Sequence, residues 1–397
     1  MTKSHFTSVA GAAVLAGSIL MAGITQAVSG DAEIGTIESV YGTPSAAKPL
    51  FSDRFLQAAP FDQIESAVAA IRREYGPARA VREAGEDYEI ETGTHRIPVQ
   101  IRLNAEGRIE GLLFKSAEPL TASIGETLNL LAAMPGAVSY AITRDGEPIH
   151  DHDADERLAV GSAFKLAVLS ALADGIEAGT HRWDDVLRLE PSDKSLPSGR
   201  LQDFPAESPF TLHTLAAAMI AESDNTATDM LIRLLGRELV AERLRTETVL
   251  TTREFFTLKA DPDLARRYAE AGTDGRMAII GEIAERDLPS PTLVMGAHDK
   301  GIEWYVSNAT LCELAGAVRG LDVFEINPGP VDAGRWRSVA YKGGSETGVL
   351  NLTAALAGEN GHTFCVSVTV NDGSAIDEAA VSGLFSRLTD QLAADPQ

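Results

Sequence analysis

Apolar and polar positions alternate along this chain in a way that divides it into segments. Behind a lone Lys3, an apolar run rich in small residues extends from Val9 to Ile24 and ends in Thr25-Gln26-Ala27. A short positive start, an apolar stretch and a small-residue end read as a secretory signal over residues 1–27, too short and too weakly apolar for a membrane span. Residues 28–48 are rich in Gly, Ser, Ala and Pro and read as a linker. Phe61, Ile64, Val68 and Ile71 then recur at helical spacing. After Gly76-Pro77 the period becomes two: Tyr88 and Ile90 mark one strand, Ile97 to Leu103 a second, and Ile109 to Phe114 a third. This predicts a small helix-plus-antiparallel-sheet domain over 49–116, with no cluster of catalytic residue types.

The larger segment, 120–397, begins with a helix (SIGETLNLLAAM) and a strand (AVSYAITRD). Its middle is mostly helical from 162 to about 320. Three strands (RSVAYK, VLNLTAALA and HTFCVSVTV) and a closing helix come late. Strands at both ends with helices between them predict an α+β domain whose single sheet is assembled from the two chain ends.

With 44% hydrophobic residues the chain can bury a sizeable core, and its net charge of −23 argues against nucleic acid and anionic lipid as partners. Of its two cysteines, Cys312 falls in a helical pattern and Cys365 in a strand pattern. Export permits a disulfide, but two buried free thiols are the plainer expectation.

One helix start is out of character. In GSAFKLAVLSAL (161–172), Ser162 stands where a cap belongs, but Lys165 sits in the first turn, where the helix dipole disfavours a cation. Positions i and i+3 share a helix face, so an amine there can approach the Ser162 hydroxyl and act as its base once burial lowers its pKa. Two further stretches qualify. Ser223-Asp224-Asn225 precedes an amphipathic helix (Met230, Leu231, Leu234, Leu235) and by itself fits turn and cap residues. Lys342-Gly343-Gly344-Ser345 ends an apolar strand; it fits either a glycine hairpin or an edge strand whose backbone lies close to a substrate.

Taken in order, S-x-x-K, S-D-N and K-x-G resemble the motif set of class A β-lactamases and penicillin-binding proteins. That family separates its first two motifs by about sixty residues, and Ser223 follows Ser162 by 61. The surroundings LAVGSAFKL, AAMIAESDNTATDMLI and YKGGSETGVLN are similar as well, and the likeness covers most of 120–397. More narrowly, the chain resembles a two-domain branch with a small cystatin- or nuclear-transport-factor-like module ahead of the hydrolase. The resemblance implies a serine hydrolase working without a cofactor. Ser162 would be the acylated nucleophile and Lys165 its base. Ser223 would pass a proton to the leaving group, Asn225 would hold substrate or Lys165, and Lys342 would supply positive charge. The N–H groups of Ser162 and Ser345, beside Gly344, would form the oxyanion hole.

Two departures bear on what such an enzyme would do. Gly343 replaces the hydroxyl residue of the usual Lys-Thr/Ser-Gly. No E-x-x-L-N run, whose Glu activates the deacylating water, occurs between 226 and 300; the nearest candidate is Glu254 in LTTREFF. The expectation is an exported, periplasmic or secreted, β-lactamase-like serine hydrolase, with slow turnover of β-lactams. An esterase, a D-alanyl carboxypeptidase-like cell-wall enzyme and a penicillin or peptidoglycan sensor that acylates and stops are the alternatives. HDHDADE (150–156) lacks the Gly and Glu of a calcium loop and a third zinc ligand, so no metal is expected.

Overall fold

The computed structural model describes residues 31–85, 87–93, 95–119, 123–294, 296 and 301–394. The signal-like stretch 1–27 lies outside them. The chain divides into two units, Met1–Ala122 and Ser123–Gln397.

In the smaller unit, the stretch expected to be a linker is helical from Asp31. Helix α1 (Asp31–Gly42) buries Ile37, Val40 and Tyr41 completely or nearly so, and Tyr41 donates a hydrogen bond to Gly76 O (2.8 Å). Three apolar side chains on one helix face outweigh the low propensity of Gly35, Thr36 and Ser39. Helices α2 (Asp53–Ala58) and α3 (Phe61–Tyr75) follow. Strands β1 (Ala80–Ala84), β2 (Asp87–Glu91), β3 (His95–Leu103) and β4 (Ile109–Phe114) pair in that order, all antiparallel, and β5 (Glu118–Pro119) joins β3. The sequence pattern missed β1, where Val81 is the single buried residue. Phe51, Val68, Ile90, Ile97, Val99 and Ile109 complete the core with α1.

The larger unit runs from α4 (Ile124–Ala132) through β6 (Ala137–Arg144), β7 (Glu147–His152) and β8 (Arg157–Ala159) to a 3₁₀ turn, Gly161–Phe164. Then come α5 (Lys165–Glu177), β9 (Val186–Arg188), β10 (Pro209–Thr211), α6 (Leu212–Ala221), α7 (Asn225–Leu235), α8 (Arg237–Arg243), α9 (Thr252–Lys259), α10 (Pro262–Glu270) and α11 (Thr273–Ile283). β11 (Tyr305–Ser307), α12 (Asn308–Val318), β12 (Ser338–Glu346), β13 (Val349–Ala357), β14 (Thr363–Asn371) and α13 (Glu378–Ala394) close the unit. The main sheet has the order β12-β13-β14-β6-β7, antiparallel throughout, so the first strands of this unit pair with the last.

One core holds the sheet against α4 and α13 through Leu131, Ile142, Val366, Val381 and Phe385. The other packs α5, α6, α7 and α12 together around Phe164, Leu166, Leu169, Met230 and Leu311. With both faces covered, β13 is buried at all nine positions, which explains why VLNLTAALA is apolar but for Asn351 and Thr353. Helix α5 is buried at each of its first eight residues for the same reason.

Two buried features join the layers. Cys312 on α12 and Cys365 on β14 form a disulfide, contrary to the expectation of free thiols. Both side chains lie at a helix-to-sheet contact, a geometry that residues 53 apart in the chain do not announce. By loop-closure entropy such a bridge contributes about 4 kcal/mol. Beside it, Asn308 anchors a sealed polar network: its Oδ1 accepts from Ser367 Oγ (2.6 Å) and Thr369 Oγ1 (2.8 Å), and its Nδ2 donates to Ser139 Oγ (2.9 Å). Asn351 and Thr353, opposite Gly344 and Lys342 in the β12–β13 ladder, extend it. Mutual satisfaction lets polar side chains stand in the sheet interior without an unpaired group.

Candidate active site

The site forms where three chain segments meet at the edge strand β12. The helix carrying Lys165 starts two residues later than the sequence pattern implied. Ser162 lies in the 3₁₀ turn before α5, so it is not the helix cap, and neither terminus of these two elements receives a side-chain cap. Half-buried, its Oγ is spared structural duty: among the described residues it makes no hydrogen bond.

Strand β12 presses its backbone against this turn. A β-carbon on Gly344 would overlap Val160 O and Ser162 N and come within 2.7 Å of Ala163 N, so only glycine permits the contact. A β-carbon on Gly161 would lie 3.3 Å from Ser345 N, which brings that N–H beside the Ser162 turn. The Lys-Gly-Gly-Ser run is therefore strand and not a hairpin turn; its pairing with β13 continues to Glu346.

Lys165 and Lys342 are both buried and converge on Ser223. Lys165 Nζ donates to Ser223 O (2.6 Å), Ser223 Oγ (3.1 Å) and Asn225 Oδ1 (2.7 Å). Lys342 Nζ donates to Ser223 Oγ (3.1 Å) and to Gly343 O. Three acceptors match the three N–H bonds of an ammonium, and Lys165 is turned onto them instead of onto Ser162. Ser223 reaches this position through a left-handed backbone, φ +55°, which is uncommon for a residue other than glycine. Asp224 fixes the turn: it caps α7 through Ala227 N (2.8 Å) and accepts from Arg200 N (2.7 Å) and Leu201 N (2.9 Å). Asn225 Nδ2 donates to Leu196 O (2.9 Å), which orients its oxygen toward Lys165.

Burial disfavours the charged form of both amines. It pulls Lys342 down to about 7. Lys165 is held well below its ordinary range by burial first and by the neighbouring Lys342 charge second, against a counter-pull from Asp229 and Asp224. Asp229 is itself pushed up to about 7 by burial, although Thr252 N, Thr252 Oγ1 and Arg253 N all donate to it.

The candidate deacylation base is committed elsewhere. Glu254 closes a capping box with Thr251 at the start of α9, and both its oxygens receive Arg237 (2.7 and 3.1 Å). Its place in LTTREFF made it a candidate by position; the capping pattern T-x-x-E was the signal for its structural role. Glu254→Gln is expected to lower stability by about 1–3 kcal/mol and to leave the lifetime of any acyl-enzyme within two-fold of the unchanged protein, read by decay of the adduct in intact-mass spectra. A shortened or lengthened lifetime beyond that would return Glu254 to the chemistry.

A cavity of about 830 Å³ lies apart from these residues; the disulfide, His150, Asp151, Asp155, Glu313 and Arg319 line it. Among the described residues no group of three or more His, Cys, Asp or Glu could hold a metal ion, and no helix is long and apolar enough to cross a membrane.

An apolar helix that starts on a lysine, a strained serine between two buried amines and a glycine edge strand thus meet on an α+β scaffold. Residues 123–277 match the model described as "Beta-lactamase enzyme family". Beta-lactamase 1 of Streptomyces cacaoi is 34% identical over 121 residues, which cover 26% of this chain and 34% of that relative, so the chain spans about a third of the length of the curated relative it matches. Among solved structures, a β-lactamase from Sphaerobacter thermophilus DSM 20745 has 20% identity and a TM-score of 0.49, covering 68% of this chain and 95% of its own. The structure of PBP-A has 18% identity and a TM-score of 0.48, covering 69% and 95%.

Proposed function

We propose that the protein is an exported serine hydrolase that forms an acyl-enzyme on Ser162, with β-lactams as its substrate class. The observation that carries this reading is the placement of Ser223 Oγ between two buried, pKa-lowered amines, one of them three residues on from Ser162, whose hydroxyl makes no hydrogen bond among the described residues. In the proposed reaction Lys165 acts as a neutral amine. It takes the Ser162 proton as Oγ attacks the lactam carbonyl carbon. The oxyanion is held by the N–H groups of Ser162 and Ser345 beside Gly344. The C–N bond then breaks, and the departing nitrogen takes its proton from Ser223 Oγ, which Lys165 reprotonates. Ser223 suits that role because its oxygen accepts from both amines and its own hydrogen is left over. Asn225 keeps Lys165 in place, and Lys342 contributes positive charge toward an anionic substrate.

Export is supported by the signal-like residues 1–27 and by the Cys312–Cys365 bridge, which suits an oxidising compartment such as the periplasm or the exterior. The engagement of Glu254 by Arg237 favours a second reading of the same site, an acylation that persists, as in a sensor or carboxypeptidase-type enzyme. Intact-mass spectrometry after exposure to benzylpenicillin tests both. A penicilloyl adduct mapped to Ser162 is the expected result, and its lifetime separates turnover from persistence. Absence of any adduct, together with no hydrolysis of a chromogenic cephalosporin, would overturn the proposal.

A further inference from the structure

The proposed reaction draws on Lys342, Gly344 and Ser345 of β12 but not on the residue that follows them. Side chains on a strand alternate between its faces, so Glu346 shares the face of Lys342 and Gly344. That face carries the site: Lys342 reaches Ser223 from it, and a β-carbon on Gly344 would meet Ser162 N. From the same face Glu346 reaches α9, where its Oε2 accepts from Lys259 Nζ. The pair is sealed. Lys259 is 5% exposed, and Glu346 Oε1 is buried and makes no hydrogen bond among the described residues. Either partner alone would be an uncompensated charge out of water, which binds the two side chains to one geometry.

This pair closes a ring of contacts around the Ser162 turn. Lys259 Nζ stands 5.6 Å from the centre of the Phe255 ring, one turn back on α9. Phe255 packs against Trp304 (4.5 Å between ring centres), and Trp304 stacks on Phe164 (4.2 Å, 5° between planes). Phe164 belongs to the 3₁₀ turn of Ser162, and Trp304 O accepts from Val160 N (3.0 Å) just before that turn. Helix α9 thus grips the Ser162 turn through aromatic rings and the end of β12 through an ion pair, while β12 touches the turn at Gly344. Of these three links, only the ion pair is charged.

What the ion pair holds is the last stretch of an edge strand. Glu346 and Val349 flank the two-residue turn Thr347-Gly348, and in such a hairpin the flanking pair exchanges its backbone hydrogen bonds. By alternation, the N–H and C=O of Ser345 point away from β13, to the open edge of the sheet. No ladder bond fixes that N–H against its neighbour. Its place beside the Ser162 turn follows from how the strand end is seated, and Lys259 sets that seating one residue further on.

We infer that Lys259 is a positioning residue: its ion pair with Glu346 holds the end of β12 so that the Ser345 N–H stays at the Ser162 turn, where the oxyanion would form. This rests on the serine-hydrolase reading, because acylation is what calls on that N–H. The test follows acylation of the full chain by benzylpenicillin in intact-mass spectra at several concentrations, which yields a limiting rate and a half-saturation concentration. For Lys259→Met the limiting rate is expected to fall about ten- to a hundred-fold, the scale of a displacement of about 1 Å at a reacting centre. The half-saturation concentration is expected to stay within about two-fold, since the loss falls on the transition state. Glu346→Ala is expected to behave like Lys259→Met. Glu346→Gln keeps an oxygen that accepts from Lys259 and is expected to retain the limiting rate within about three-fold. If Lys259→Met does not fold, as read by circular dichroism, the contrast between Glu346→Gln and Glu346→Ala decides. An unchanged limiting rate, an equal change in rate and half-saturation, or a Glu346→Gln protein as slow as Glu346→Ala would overturn the inference and leave the acylation reading intact. No adduct on the unsubstituted protein would sink the acylation reading, and the inference with it.

Discussion

Ser162→Ala is expected to abolish covalent labelling by benzylpenicillin and to lower any hydrolysis of a chromogenic cephalosporin by on the order of 10⁴-fold or more, the scale of nucleophile removal in serine hydrolases. Ser162 makes no side-chain hydrogen bond among the described residues and caps no helix, so replacing it costs the fold little. What is lost is the atom that attacks in the proposed reaction. Circular dichroism and the melting temperature are expected to stay close to those of the unsubstituted protein. Labelling retained in the variant would mean that another residue is acylated.

Lys165→Ala is expected to slow acylation by about 10²- to 10⁴-fold, the usual worth of a positioned general base. Here the fold does feel the change, in two opposing ways. Ser223 and Asn225 lose a shared donor, while a desolvated amine beside Lys342 disappears. The pH dependence carries the sharper signature. In the proposed reaction a neutral Lys165 is the active form, so the acylation rate is expected to rise with pH through the lowered pKa of that amine and to fall where Lys342, near 7, gives up the charge that would meet the substrate. The two amines share Ser223, so the limbs of the bell belong to the pair. Stability follows a related rule. Lys342 binds its proton less readily in the folded chain than in the unfolded one. Between about 7 and its ordinary value of 10.5 the unfolded chain therefore holds the extra proton, and folding stability rises with pH. Lys342→Met flattens that rise. A rate profile unchanged by Lys165→Ala would remove the amine from the chemistry.

The elements of the larger unit were legible because its sheet and helices are patterned by burial. Residues 137–144, 349–357 and 363–371 stand out as strands, since each is mostly apolar over the length of a strand, broken by short polar residues. The motifs stand out because a first-turn lysine, a strained serine and paired glycines run against local propensity. Three things were hidden. Helix α1 was read as linker because glycine and serine lower its propensity; Ile37, Val40 and Tyr41 make it a helix only against the strands that follow. The pairing of Cys312 with Cys365 depends on α12 crossing β14, a packing relation that no local pattern encodes. The direction of Lys165, onto Ser223 and Asn225, depends on where a turn 58 to 60 residues later places its oxygens.

The sheet of the larger unit pairs a strand made early, β6, with strands made last, and the edge strand that presses on Ser162 belongs to the late set. A chain made from its N-terminus therefore carries Ser162 long before it owns the strand that presses against it. Any covalent probe for Ser162 would then count only finished molecules, and would report the yield of maturation as directly as it reports catalysis.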